Sequence, residues 1–155
     1  MSEIKGTVDG HGMRIGVVVS RFNGVVTERL LAGALKALGE HGVAETAIEV
    51  VHVPGAFELP LPVELFASGG RVDAVVCLGA VVRGETPHFE YISSTVFDQI
   101  GALMVRHQLP VALGVLTTET VEQALERSGG RHGNKGHDAA VTAIEMVNVR
   151  RAMCR

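Results

Sequence analysis

The sequence predicts an α/β fold: a parallel sheet doubly wound, with helices on both faces. Three observations predict it. Short β-branched runs alternate with segments of helical apolar period along the whole chain. The stretch Asp73 to Val82 is almost wholly apolar, as a central strand covered on both faces must be. The chain has 155 residues, 46% hydrophobic and 20% charged, which suits one domain filling one core and excludes wholesale disorder.

The elements follow in order. Ile15, Val17, Val18 and Val19 make a first strand over Arg14 to Ser20. Leu30, Leu31, Ala34, Leu35 and Leu38 recur at helical spacing from Val25 to His41, and Gly39 and Gly42 mark the end. Ile48 to Val53 is a second strand, stopped by Pro54-Gly55. Leu59 to Ala67 suits a short helix that begins at its prolines, Pro60 and Pro62. Asp73 to Val82 is the central strand. Phe89, Ile92, Val96, Ile100 and Leu103 define a long amphipathic helix. Val111 to Leu116 is a fourth strand. Thr118 is the expected N-cap of a helix through Arg127, with Glu119 and Glu122 near its positive end and Gly129-Gly130 after it. A last helix carries Ala140, Val141, Ile144 and Val147. Crossovers between the strands are expected to be right-handed. Residues 1–12 fit no βα unit and read as an extra strand or arm, one that can pair with a neighbouring subunit.

Composition narrows the function. The formal charge is −3, which attracts neither nucleic acid nor an anionic membrane, so neither is an expected partner. Cys77 and Cys154 form no framework and read as reduced thiols of a cytoplasmic protein. Met1-Ser2-Glu3-Ile4-Lys5 has no apolar h-region, so no signal peptide is expected there. Ala74 to Val82 is far short of the ~20 residues that span a bilayer.

Ligands of open α/β sheets bind beyond the carboxyl ends of the strands. Four loops lie there: Ser20 to Gly24, Pro54 to Glu58, Arg83 to His88, and Thr117 to Glu119. The chain has only five Phe, one Tyr and no Trp, yet Phe22 and Phe57 fall in the first two loops. In the third, Thr86 and Pro87 read as N-cap and N1 of the long helix, with His88 in its first turn. The positive end of a helix favours a neutral, proton-accepting imidazole, and its free N–H groups favour an anion. Plainer readings stand beside these. His88 reads also as a solvent-facing first-turn residue. Phe22 and Phe57 read equally as loop staples, Glu58 as a carboxylate answering a helix dipole, and Arg127 as a cation at a helix C-terminus. Gly129 to Gly136 fails the Walker A pattern, and Gly10-His11-Gly12 fails the dinucleotide pattern. His132 and His137 lack companion ligands, so no metal is assigned. These patterns give a small-anion site at the strand ends and name no reaction.

At the same loops, and once beyond them, stand the words Arg21-Phe22-Asn23, Val53 to Glu58, Leu78 to Thr86 with His88, Gly114 to Glu119, and Gly133-Asn134-Lys135-Gly136. In these words the sequence resembles the 6,7-dimethyl-8-ribityllumazine synthase family. They run in the family's order from about residue 12 to 149. The resemblance implies a flavodoxin-like, three-layer αβα sandwich about a four-stranded parallel sheet. It implies condensation of 5-amino-6-(D-ribitylamino)uracil with 3,4-dihydroxy-2-butanone 4-phosphate, releasing phosphate and water, with no cofactor. Carried over by residue, Phe22 stacks on the pyrimidine. Ala56, Phe57 and Glu58 line the ribityl side, and Ala80, Val81 and Val82 present backbone groups to the heterocycle. Glu85 and Thr86 meet the phosphate-bearing substrate. His88 shuttles protons, Arg127 clamps the phosphate, and Lys135 adds positive potential. Many members have Phe where this chain has Leu113, reaching the pyrimidine from the adjacent subunit. Leu113 keeps apolar contact without stacking.

The resemblance further implies pentamers with sites between neighbours, and an association with riboflavin synthase. The uninterrupted Gly130 to Asn134 connection looks like that of members that build sixty-subunit shells. Two other readings compete: a catalytically idle homologue that binds flavins or lumazines or serves as a shell, and a monomeric flavodoxin-like module. His88, Arg127 and Phe22 together favour the enzyme.

Overall fold

The computed structural model describes residues 1–155. Its elements are β1 (Ile15–Ser20), α1 (Gly24–Glu40), β2 (Ile48–Val53), α2 (Pro60–Gly69), β3 (Ala74–Val82), α3 (His88–His107), β4 (Val111–Thr118), α4 (Val121–Glu126), β5 (Ser128–Gly130), β6 (Gly133–Asn134) and α5 (Lys135–Met153). The first four strands by position in the sheet run β2-β1-β3-β4, all parallel. Helices cover both sides, so the expected flavodoxin-like αβα sandwich is the fold. Pairing of the N-terminal arm with another chain is not part of this single-chain structure.

The side chains explain the layers. Every residue of β1 is buried, and seven of nine in β3. Alternation then sorts them by face. Ile15, Val17, Val19, Ala74, Val76 and Leu78 join the cluster under α1 and α5. Val18, Val75 and Cys77 join the cluster with Phe66 of α2 and Val96 of α3. The sheet therefore divides the single expected core into two. α1 and α5 meet closely at a glycine: a Cβ on Gly136 would lie 2.0 Å from the Leu30 carbonyl oxygen.

The strand order positions the site. The chain leaves β1 toward β2 on one side, while β3 lies on the other, so the switch point is the crevice between β1 and β3. β2 and β4 are edges. Residues 1–10 form no strand and lie against their own chain: the Asn148 side-chain amide donates to the Thr7 and Asp9 carbonyls at 2.9 and 3.0 Å.

Three local expectations need correction. Thr118 is not an N-cap. β4 runs two residues further than expected, because Thr117 and Thr118 pair with Val81 and Val82. The cap is Thr120, whose hydroxyl accepts from the Gln123 N–H at 3.2 Å, while the Gln123 side chain reaches back to the Thr120 N–H. Thr86 is not the cap of α3 either. Pro87 holds that position, its carbonyl accepts from the Glu90 N–H at 3.1 Å, and no side chain caps the helix. Gly129-Gly130 does more than end α4: Ser128–Gly130 pairs antiparallel with Gly133–Asn134. The turn works because Gly129 and Gly133 both take positive φ. No helix is long and apolar enough to cross a membrane.

Candidate active site

Two backbone bonds tie the first strand-end loop to the second. The Arg21 N–H donates to the Val53 carbonyl at 2.8 Å and the Phe22 N–H to Pro54 at 3.0 Å. Asn23 then takes a left-handed conformation, φ 59°, and its side-chain amide donates to the Ala80 carbonyl at 2.9 Å. Asparagine suits both demands, since its short amide tolerates this region and carries a donor. The result holds Phe22 out of the core, 71% exposed. In the second loop the Gly55 N–H donates to Glu58 Oε2 at 3.0 Å, folding that carboxylate over its own turn. Ala56 is buried beneath, while Phe57 points outward, 58% exposed.

These loops and the start of α3 enclose a cavity of about 780 Å³. That volume lies within the range of ordinary small-molecule sites. Phe22, Ala56, Phe57, Glu58, Ala80, Val81, Val82, Thr86 and His88 all line it. Glu85 is exposed in the same loop but outside that lining. Below the cavity Cys77 is fully buried, and burial pushes its thiol up to about 12, so it offers no nucleophile.

The other expected residues lie elsewhere. Leu113, Arg127 and Lys135 line a second hollow, about 330 Å³, along the outer edge of β4. Arg127 follows α4, and its Nη1 donates to the Gln123 carbonyl at 3.0 Å. The nearest carboxylate, Glu126, stands 3.9 Å away, so the guanidinium charge is lightly answered. Lys135 opens α5, beside Asp138 at 3.8 Å. Asn134 fixes that start: its side-chain oxygen accepts from the N–H groups of Gly136 and His137 at 2.8 and 3.1 Å. One chain thus gathers the apolar and aromatic wall with the imidazole, and keeps the cations apart from them.

Residue-type reasoning missed Asn23, Tyr91, Ile92 and Thr95 as lining residues. A helical signal could have found most of them. His88, Tyr91, Ile92 and Thr95 stand at i, i+3, i+4 and i+7, one face of α3. Tyr91 is the chain's one tyrosine and is 70% exposed, an aromatic outside the core period.

A doubly wound domain with an aromatic-walled cavity at its switch point and an imidazole on the rim defines a small-molecule enzyme of the α/β class. Residues 12–151 match the family model of 6,7-dimethyl-8-ribityllumazine synthase, nearly all of the 155, and the chain belongs to that family. Its function is therefore that of a transferase, EC 2.5.1.78, in riboflavin biosynthesis. The reaction joins 5-amino-6-(D-ribitylamino)uracil to 3,4-dihydroxy-2-butanone 4-phosphate and yields 6,7-dimethyl-8-ribityllumazine.

Proposed function

We propose that the active site forms between two copies of this chain. The larger cavity of one copy would hold the uracil, and the β4 edge of the next would bring the phosphate-binding cations. The observation that carries this reading is the separation just described: the wall residues and His88 line one hollow, and Leu113, Arg127 and Lys135 another. Neither alone offers both a ring platform and an anion clamp.

In this reading Phe22 stacks on the pyrimidine and Leu113 of the adjoining copy closes the other side by apolar contact. Glu58 accepts from ribityl hydroxyls beside Ala56 and Phe57. The backbone of Ala80, Val81 and Val82 meets the heterocycle. Glu85 and Thr86 face the butanone, and the uncapped N-terminus of α3 adds N–H donors near its phosphate. Arg127, with Lys135, holds that phosphate. The uracil amine attacks the ketone, water leaves to give the Schiff base, phosphate is eliminated, and the second nitrogen closes the ring on the remaining carbonyl with loss of a second water. His88 relays protons between these steps. Most of the catalysis is positioning.

The chain acts as one domain, in pentamers, with residues 1–12 lent to the exposed β2 edge of a neighbour. The short β5–β6 hairpin supports assembly into a sixty-subunit shell, since nothing is inserted there. A cytoplasmic location and an association with riboflavin synthase belong to the same reading.

Mixed assemblies test it. His88→Ala and Arg127→Ala chains, unfolded and co-refolded in equal amounts, would leave about a quarter of shared sites intact if neighbours combine at random. Recovery of lumazine fluorescence to about that fraction of the parent rate is expected. No recovery above the two single variants would place both residues in one chain's site and overturn the proposal. Light scattering on the parent decides between five, ten and sixty subunits.

A further inference from the structure

Arg83 lies just behind the cavity wall, at the exit of β3, between the lining residues Val82 and Gly84. Its guanidinium is engaged on three sides. Nη1 donates to Glu90 Oε1, in the first turn of α3. Nε pairs with Glu119 Oε2 at 2.8 Å, in the loop after β4. The flat face sits 4.7 Å from the centroid of Phe89, whose side chain also lines the cavity. The Arg83 N–H donates to the Thr118 carbonyl at 2.8 Å, so the backbone is fixed as well.

We propose that Arg83 is a positioning residue that clamps the first turn of α3, and with it His88, against the loop that follows β4. The proposal rests on the reading of His88 as the proton relay. Three features carry it. Both residues that Arg83 holds on α3, Phe89 and Glu90, directly follow His88, and no side-chain cap otherwise fixes that helix end. The loop before His88 (Gly84 to Pro87) is exposed throughout, so packing does not hold it. The planar fork of arginine reaches two carboxylates on different elements while stacking on a ring, which lysine cannot do.

A plain surface ion pair is the competing account. Exposed pairs add little to stability. A kinetic effect without a stability effect therefore separates the two. The charge is also spoken for: the hydrogen bond from Arg83 holds Glu90 below the usual carboxylate range, and the two glutamates raise Arg83 in turn. Arg83 is thus no rival to Arg127 as an anion clamp.

The test is a double-mutant cycle on the full chain. Arg83→Gln should lower kcat about tenfold with KM for the uracil within about twofold, because small misplacement near a reacting group is costly. Its melting temperature should stay within about 2 °C of the parent, because an exposed ion pair adds little stability. Arg83→Lys should recover less than half of the lost kcat. In a His88→Ala background Arg83→Gln should cost nothing further, since the group it positions is gone. Unchanged kcat in Arg83→Gln, or an equal loss with and without His88, overturns the proposal. If Arg83→Gln does not fold, Glu90→Gln must reproduce the kcat loss, and an unaffected rate there overturns it. Should His88→Ala itself turn over like the parent, the relay reading fails instead, and the two failures are told apart.

Discussion

Replacing Arg127 by Ala probes the proposed phosphate clamp directly. In the structure this guanidinium is half-exposed, anchored by one hydrogen bond to Gln123, and has no carboxylate closer than 3.9 Å. It is therefore held in place with its charge largely free. A hydrogen bond to a charged group contributes about 1.5–3 kcal/mol, and each 1.4 kcal/mol is a factor of ten. Partial exposure screens the interaction, so one to two such units in full is an upper bound and about 1.5–2.5 kcal/mol is the working figure. That corresponds to a rise of roughly 10- to 60-fold in KM for the butanone phosphate. KM for the uracil should move by less than about threefold, because that substrate would sit in the other hollow. Arg127→Lys keeps a charge without the fork and should fall between. Steady-state lumazine fluorescence, with each substrate varied in turn, reads both constants. Equal changes in the two KM values, or a larger change for the uracil, would refute the reasoning.

Further expectations follow from packing and burial. Gly136→Ala forces a methyl to within 2.0 Å of the Leu30 carbonyl, a backbone atom that cannot step aside. A loss of about 3 kcal/mol or more by urea unfolding is expected, at or beyond the top of the usual overpacking range. Gly39→Ala meets nothing within 4 Å and should stabilise by about 0.5–1 kcal/mol through helix propensity and unfolded-state entropy. A neutral Gly136→Ala would disprove the close α1–α5 contact. Iodoacetamide at pH 8 should label Cys154, which is exposed, and spare Cys77, whose thiol burial holds at about 12. Two labels on the native protein would contradict that burial. The Glu90 carboxylate should titrate below its ordinary 4.5, because Arg83 donates to it. A lowered native value means that its contribution to stability is complete above about 4.5 and is lost as pH falls through the native value. An NMR midpoint at or above 4.5 would dissolve the pair.

The lumazine synthase words, the four parallel strands and the helices between them were legible because each is a local property. β-branched runs, a 3.6-residue period and turn residues need no partner to be read. Ile48–Val53 matches its expected limits for that reason. Thr118 was misread because a threonine before acidic residues suits a cap, and only pairing with Val82 on another strand extends β4 through it. The face of α3 that carries Tyr91 and Thr95 was written in the period but needed a cavity to give it meaning.

Sequence alone singled out the strand-end loops, since strand ends and unusual residues coincide along the chain. Tertiary structure alone decided how those loops divide. Sheet order puts β1 and β3 side by side and leaves β4 at the rim, so Phe22 and His88 face one hollow while Arg127 faces another. That order depends on distant pairings, above all β1 with β3, where Ile15 meets Ala74, a long-range choice that no short window of sequence contains.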